Sequence, residues 1–189
     1  DSLPKMMEGY PFVFEKDDYS FKSFTLLLSG KQDSGKSMLA ASIIKGALKY
    51  NIRPYYLEWS EIINVCFDYY SDASSKNKTK IKKYENIIQI VEDSKLLIIE
   101  NLDKLYENNK YNEEDRLTAN VRRQTDAMFS VRTKKSYPTV ITTNQNIEEL
   151  TSEVKYGPVL LNLIDDSIKL ELPTLGRSKR PIDVKIVNR

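Results

Sequence analysis

The chain has 189 residues, 40% of them hydrophobic and 30% charged, and its 29 basic and 27 acidic side chains leave a net charge of +2. That is globular composition on the scale of one domain, neither a disordered chain nor a strongly basic nucleic-acid binder, and no apolar run approaches the ~18 residues of a membrane-spanning helix. A single cysteine, Cys66, and the lack of any histidine exclude an internal disulfide, a histidine-ligated metal and nucleophilic catalysis through an imidazole base. A soluble cytoplasmic domain is expected, with no membrane partner and with chemistry drawn from Lys, Arg, Asp, Glu, Ser, Thr and Asn.

Residues 1–22 read as an irregular N-terminal extension punctuated by Pro4, Gly9 and Pro11, and residues 23–189 as one domain. FTLLLS at 24–29 is a short buried strand. Ser37 to Tyr50 then carries Leu39, Ile43, Ile44, Ala47 and Leu48 at helical spacing. PYYLE at 54–58 is a second strand, and Ser60 stands where a helix N-cap belongs, ahead of Ile62, Ile63, Cys66, Phe67 and Tyr70. Residues 72–80 are expected as a loop, 81–91 as a helix, and KLLIIE at 95–100 as a strand buried on both faces. After the polar stretch 104–115 come a long helix over 116–133 and the strand TVITT at 139–143. Helices over 147–153 and 158–165, a strand over 168–172 and a half-exposed strand over 182–187 complete the chain. Strands alternating with helices predict an α/β fold with a parallel sheet flanked by helices.

Gly30, Lys31, Gln32, Asp33, Ser34, Gly35, Lys36 and Ser37 match the G-x-x-x-x-G-K-[ST] phosphate loop, with Met38 following in the helix. The two glycines allow backbone conformations in which amide N–H groups point inward at phosphate oxygens. The helix opening near Lys36 turns its positive dipole end on the same anion. Lys36 is expected on the β- and γ-phosphates of ATP, and the Ser37 hydroxyl on Mg²⁺. The loop lies between a strand and a helix, as this mechanism requires.

A phosphate-bound Mg²⁺ needs an acid at the tip of a neighbouring strand, and LLIIEN supplies Glu100. The next position, where a water-polarising carboxylate is usual, holds Asn101. An amide carries no charge and does not readily accept a proton, so binding is expected intact and hydrolysis weak, unless Asp103 or another acid substitutes. A further strand, PTVITTN, ends in Asn144, placed to hold water near the γ-phosphate or to sense that phosphate. Gly176 to Arg180 (GRSKR) is a basic turn whose guanidinium could fold back on phosphate.

Together GKQDSGKS, LLIIEN, PTVITTNQNIEEL and GRSKR resemble, in order and spacing, the AAA+ ATPases that load the bacterial replicative helicase (DnaC/DnaI-like loaders), with IstB-type transposase helpers as relatives. The resemblance runs from about Thr25 to Arg180 and implies a P-loop NTPase AAA+ core with little or no separate lid domain. It gives Lys36 and Ser37 the Walker A roles, Glu100 the metal role, Asn144 the first sensor and Arg180 the second, with Lys179 as runner-up. It implies DNA replication as the process, ATP and Mg²⁺ as cofactors, and a hexameric replicative helicase and single-stranded DNA as partners, with a homo-oligomer forming when ATP is bound. Lys76, Lys78, Lys80, Lys82 and Lys83, with Tyr69, Tyr70 and Tyr84, are candidate DNA contacts, although packing explains each tyrosine as well.

The chain departs from the family in three places. The segment GPVLLNLI at 157–164 lacks the arginine that reaches a neighbour's ATP, leaving Arg122, Arg123 or Arg132 to serve if any does. The polar stretch 105–115 is longer than usual. Loaders commonly hold the helicase through a separate N-terminal domain, and with only about twenty residues ahead of the first strand that domain is expected to have been removed, replaced or never present. An IstB-like transposition helper and a weakly hydrolysing, nucleotide-gated binding module are the alternatives; a small-molecule kinase fits poorly, because the acidic stretch does not resemble an arginine-rich lid.

Overall fold

A computed structural model describes residues 24–71, 77–104, 116–152, 156–173 and 185–187. The expected N-terminal extension, the polar stretch 105–115 and the basic turn carrying Arg180 lie outside the described residues. The described part is a three-layer α/β unit. Its strands are β1 (Thr25–Ser29), β2 (Pro54–Glu58), β3 (Leu96–Glu100), β4 (Thr139–Thr143), β5 (Ile168–Glu171) and β6 (Lys185–Val187), and its helices are α1 (Lys36–Lys49), α2 (Trp59–Ser71), α3 (Lys78–Asp93), α4 (Arg116–Lys134), α5 (Ile147–Ser152) and α6 (Pro158–Asp165).

The sheet order is β2-β3-β4-β1-β5-β6. β1 to β5 run parallel, while β6 pairs antiparallel with β5, so the expectation of a parallel sheet holds for all but that edge strand. β1, β3 and β4 are buried at every residue, which is why each holds a block of consecutive apolar residues rather than an alternating pattern. Their side chains nevertheless divide by strand periodicity. Leu27, Leu97, Ile99 and Ile141 enter the core beneath α2, α3, α4 and α6. Leu26, Leu28, Ile98 and Val140 enter the core on the other face with Ala40, Ile43 and Ala47 of α1. This arrangement brings the C-terminal tips of β1, β3 and β4 together beside the start of α1.

Two element boundaries differ from expectation. The chain passes from β2 into α2 without a loop, so Ser60 lies inside the first turn, and its hydroxyl donates to Glu58 Oε2 at 3.3 Å instead of capping the helix. α3 starts at Lys78, not Ile81, because the Asn77 side chain accepts from Thr79 N–H and caps it. The last three residues of the expected loop 72–80, Lys78 to Lys80, are therefore helix.

Several connections carry recognisable end signals. α1 stops at a Schellman arrangement: Asn51 has φ 58°, and Ile52 and Asn51 donate to the carbonyls of Ala47 and Leu48 at 3.1 Å. At α6, Gly157 precedes Pro158, and Asp126 of α4 accepts from Leu160 N–H at 3.3 Å. Burial raises the Asp126 pKa, with the Leu160 and Val159 amides opposing that shift.

Candidate functional site

The phosphate loop bridges β1 and α1. Gly30, at φ 143°, lies so close to β5 that a Cβ there would overlap the Leu172 carbonyl oxygen. Gly35, at φ 90°, precedes α1, which has no side-chain cap and no acidic residue in its first turn. The helix therefore offers its first N–H groups and dipole to an anion with nothing competing from its own residues. Asp33 also takes a positive φ, 63°, at the crest of the loop.

The Lys36 side chain is only 6% exposed. Its ammonium donates to the carbonyls of Gly30 at 2.7 Å and Lys31 at 2.8 Å, and to Ser34 Oγ at 3.3 Å. Burial pulls its pKa down, while Asp103, Asp33 and Glu100 oppose the shift. Three donors thus meet three acceptors of the same loop, and all are partners a phosphate oxygen can replace. Ser37 donates its hydroxyl to Glu100 Oε1 across the gap between α1 and β3. Two hard oxygen donors in contact suit a cation such as Mg²⁺, which takes one or two protein ligands and completes its shell with water and phosphate. Among the described residues there is no cluster of three or more metal-ligating side chains, so Ser37 and Glu100 fit a phosphate-borne Mg²⁺ rather than a protein-caged ion.

A cavity of about 370 Å³ opens over the loop. Gln32, Asp33, Gly35, Lys36, Ser37 and Met38 line it on one side, and Asn101, Lys104 and Asn144 on the other. The structure therefore brings together most of the residues singled out by sequence. Gly30, Lys31 and Ser34 do not face the cavity but hold the Lys36 ammonium. Arg180 lies outside the described residues. Lys104 was not foreseen: one lysine after a strand tip carries no motif, and it arrives here because its N–H closes a turn on the Asn101 carbonyl at 3.0 Å.

The tips of β3 and β4 are laced together. Asn101, at φ 55°, donates its N–H to Thr142 Oγ1 at 3.0 Å, and Leu102 donates to the Thr142 carbonyl at 2.9 Å. Tyr156 donates its hydroxyl to the Leu102 carbonyl at 2.9 Å, anchoring the turn from the α6 side. Asp103 accepts from Asn144 through both carboxylate oxygens, at 2.8 and 2.9 Å.

Other candidates are placed differently. Arg132, considered as an arginine reaching a neighbour's nucleotide, is 1% exposed and turned into the protein. It donates to the carbonyls of Val91, Ser94 and Pro138 and to the hydroxyls of Ser94 and Thr139, at the end of the sheet away from the phosphate loop. Burial pushes its pKa down to about 9, and it still stays charged at neutral pH. Arg123 lies on the exposed side of α4, where it donates to Asn120 Oδ1 at 3.2 Å. The three tyrosines pack on one another: Tyr69 stacks on Tyr84 at 3.9 Å between centroids, with Tyr70 edge-on to Tyr69 at 5.2 Å. Tyr84 is buried and Tyr70 donates to Gln124 Oε1 at 3.1 Å, so packing, not base stacking, accounts for both. No helix among the described residues is long and apolar enough to cross a membrane.

Known proteins with this architecture include the AMPPCP-bound DnaA of Aquifex aeolicus, with a TM-score of 0.58 and 11% identity over 79% of this chain and 40% of that one. Domain III of the Thermotoga maritima replication initiation protein DnaA gives a TM-score of 0.57 and 14% identity over 78% and 54%. The DnaC helicase loader gives a TM-score of 0.55 and 20% identity over 80% and 79%. These likenesses establish a shared fold, and the chain spans only about two fifths of the length of the Aquifex DnaA chain. No curated protein matches by sequence. The family model described as "ATPase family associated with various cellular activities (AAA)" matches residues 26–157, more than half of the chain, and the chain belongs to that family.

Proposed function

We propose that this AAA domain binds ATP–Mg²⁺ at the phosphate-loop cavity and acts as a helicase loader, helping to place a hexameric replicative helicase on single-stranded DNA during DNA replication. The observation that carries the nucleotide part is the convergence of an uncapped α1 N-terminus, Lys36 and Ser37 on one cavity, with Glu100 bonded to Ser37 just behind its wall. Its donors are those a triphosphate needs. Lys36 exchanges its loop carbonyls for β- and γ-phosphate oxygens, while the backbone N–H groups from Gly35 onward hold the phosphates. Ser37 and Glu100 would hold Mg²⁺, which neutralises charge on the β- and γ-phosphates when bound. On resemblance to the family, Arg180 closes over the same phosphates and ATP-bound copies assemble with one another.

The loader reading is supported by the shared fold with DnaC over most of both chains and by the sensor-strand motif ending in Asn144. An IstB-like helper has the same architecture and differs in its partner. The nucleotide-gated reading is favoured by one observation, the amide at position 101 on the cavity wall. ATP affinity and turnover, measured with and without single-stranded DNA and a replicative helicase, test all three. DNA- or helicase-stimulated turnover with helicase capture supports the loader. Tight binding without turnover supports the gated module, and helicase-independent capture of a transposase supports the helper.

A further inference from the structure

One side-chain pair at the cavity is not explained by the phosphate-loop and metal roles. Asn144 donates its backbone N–H to Asp103 Oδ1 and its side-chain Nδ2 to Asp103 Oδ2. An ionised carboxylate has acceptors and no proton to give, so the Asn144 amide cannot be turned over: its nitrogen faces Asp103, and Oδ1, with the second Nδ2 hydrogen, is left for other work. Asn144 lines the cavity together with Lys36 and Ser37, whereas Asp103 does not. Among the described residues no donor is bonded to Asn144 Oδ1. The Asp103 turn is held in place by the buried Leu102, whose N–H and carbonyl are both bonded, and by the Lys104-to-Asn101 closure.

We propose that Asp103 and Asn144 form a relay in place of the carboxylate missing at position 101: Asp103 orients and polarises the Asn144 amide, and Asn144 Oδ1 holds the attacking water at the γ-phosphate. This rests on the nucleotide-hydrolysing reading above. A hydrogen bond from the amide nitrogen to an anion shifts electron density onto the amide oxygen and makes it a stronger acceptor. The pairing commits one of the two Nδ2 hydrogens to Asp103 and leaves the other free to donate toward phosphate. In the chemical step the water oxygen forms a bond to Pγ while the bond from Pγ to the β–γ bridging oxygen breaks, its electron pair leaving with ADP. The amide does not keep the water's proton; it passes to a γ-phosphoryl oxygen, so ATP and water become ADP and dihydrogen phosphate. Asn144 touches the water and is the catalytic residue, and Asp103 is a positioning residue.

The test is steady-state ATP turnover and ATP affinity of the full chain carrying Asp103→Asn or Asp103→Glu, alone and in an Asn144→Ala background. Asp103→Asn is expected to lower kcat roughly tenfold to a hundredfold, the range for one charge-assisted hydrogen bond, with affinity unchanged within about twofold. Asp103→Glu, which keeps the charge, recovers part of the rate. In the Asn144→Ala background Asp103→Asn costs nothing further, as expected when two residues act as one unit. An equal loss in both backgrounds, or a loss of affinity matching the loss of rate, overturns the relay and makes Asp103 only a shaper of the loop.

A measurement on the unsubstituted chain stands apart from any folding defect in the variants. The Asn144 Nδ2 proton resonances, assigned by their loss in Asn144→Ala, are expected downfield of those of a solvent-exposed asparagine, as a hydrogen bond to a carboxylate requires, and resonances at the solvent-exposed position overturn the pairing. A wild-type chain that binds ATP without turnover overturns the relay but leaves nucleotide binding standing. A chain that binds no ATP overturns both.

Discussion

Two buried cations occupy opposite ends of the sheet, and both are satisfied without a carboxylate in hydrogen-bonding contact. Lys36 is 6% exposed and Arg132 1%. Each donates to backbone carbonyls and hydroxyls, and burial lowers the pKa of each. The difference lies in where the acceptors come from. Lys36 is held entirely by its own loop, by Gly30, Lys31 and Ser34, beside an open cavity. Arg132 reaches from the end of α4 to the end of α3, the turn at Ser94 and the start of β4, segments far apart in the chain. A flexible ammonium on local, exchangeable acceptors can turn to a ligand. A planar guanidinium tying distant segments cannot leave without unlacing them. Buried charge alone does not mark a functional residue; the origin of its partners does.

The largest effect that separates these roles is expected at Arg132. Replacement by Ala takes the Arg132 donor from the buried carbonyls of Val91 and Ser94 and leaves Pro138 with only the Leu97 N–H. Thermal or denaturant unfolding should show a loss on the order of 3 kcal/mol, with nucleotide affinity of the remaining folded protein unchanged. A variant of unaltered stability breaks the comparison. Lys36→Ala is expected to do the reverse. ATP affinity falls by about a hundredfold in a fluorescent-nucleotide titration, while unfolding moves little, because the loop carbonyls it releases can be reached by water entering the cavity. Unchanged affinity would sink the assignment of this cavity to nucleotide.

Gly30→Ala sharpens the same contrast from the backbone. Its φ of 143° and its approach to the Leu172 carbonyl leave no room for a methyl group, so destabilisation of about 1–3 kcal/mol is expected. ATP affinity should fall with it, since Gly30 also carries an acceptor of Lys36; an unfolding midpoint equal to wild type would contradict this geometry. The smallest effect is expected from Asn101→Glu. A carboxylate at this cavity position should raise phosphate release, by no more than about tenfold. The gain is limited because Asn101 has φ 55°, which an amide side chain tolerates better than Glu does. A fall in release would show that position 101 serves the turn and not the chemistry.

Much of the architecture was legible because local rules and tertiary structure agree. The apolar runs of β1, β3 and β4 are buried on both faces, and the phosphate loop sits between strand and helix as its glycines require. The misreadings have physical causes. Ser60 reads as a cap because hydroxyl residues favour helix starts, yet α2 begins at Trp59 straight after β2, so Ser60 lies one residue inside the helix. Asn77 was passed over as one polar residue in a lysine-rich stretch, although its side chain starts α3. Arg132 is a candidate for reaching a neighbour's nucleotide only because 157–164 holds no arginine, and arginine is usually exposed; its burial is decided by partners distant in the chain.

By itself, then, the sequence determined the fold class, the strand–loop–helix that presents Lys36 and Ser37, and the acid at the end of β3. These depend on residues close together in the chain, where periodicity and turn chemistry act. Tertiary structure alone decided which residues face one another across the strand tips: Ser37 with Glu100, Asp103 with Asn144, Lys104 with the cavity, and Arg132 with the opposite end of the sheet. The order of strands in the sheet brings such partners together, and that order is set by how whole helices and strands bury their apolar faces, not by the residues that finally meet.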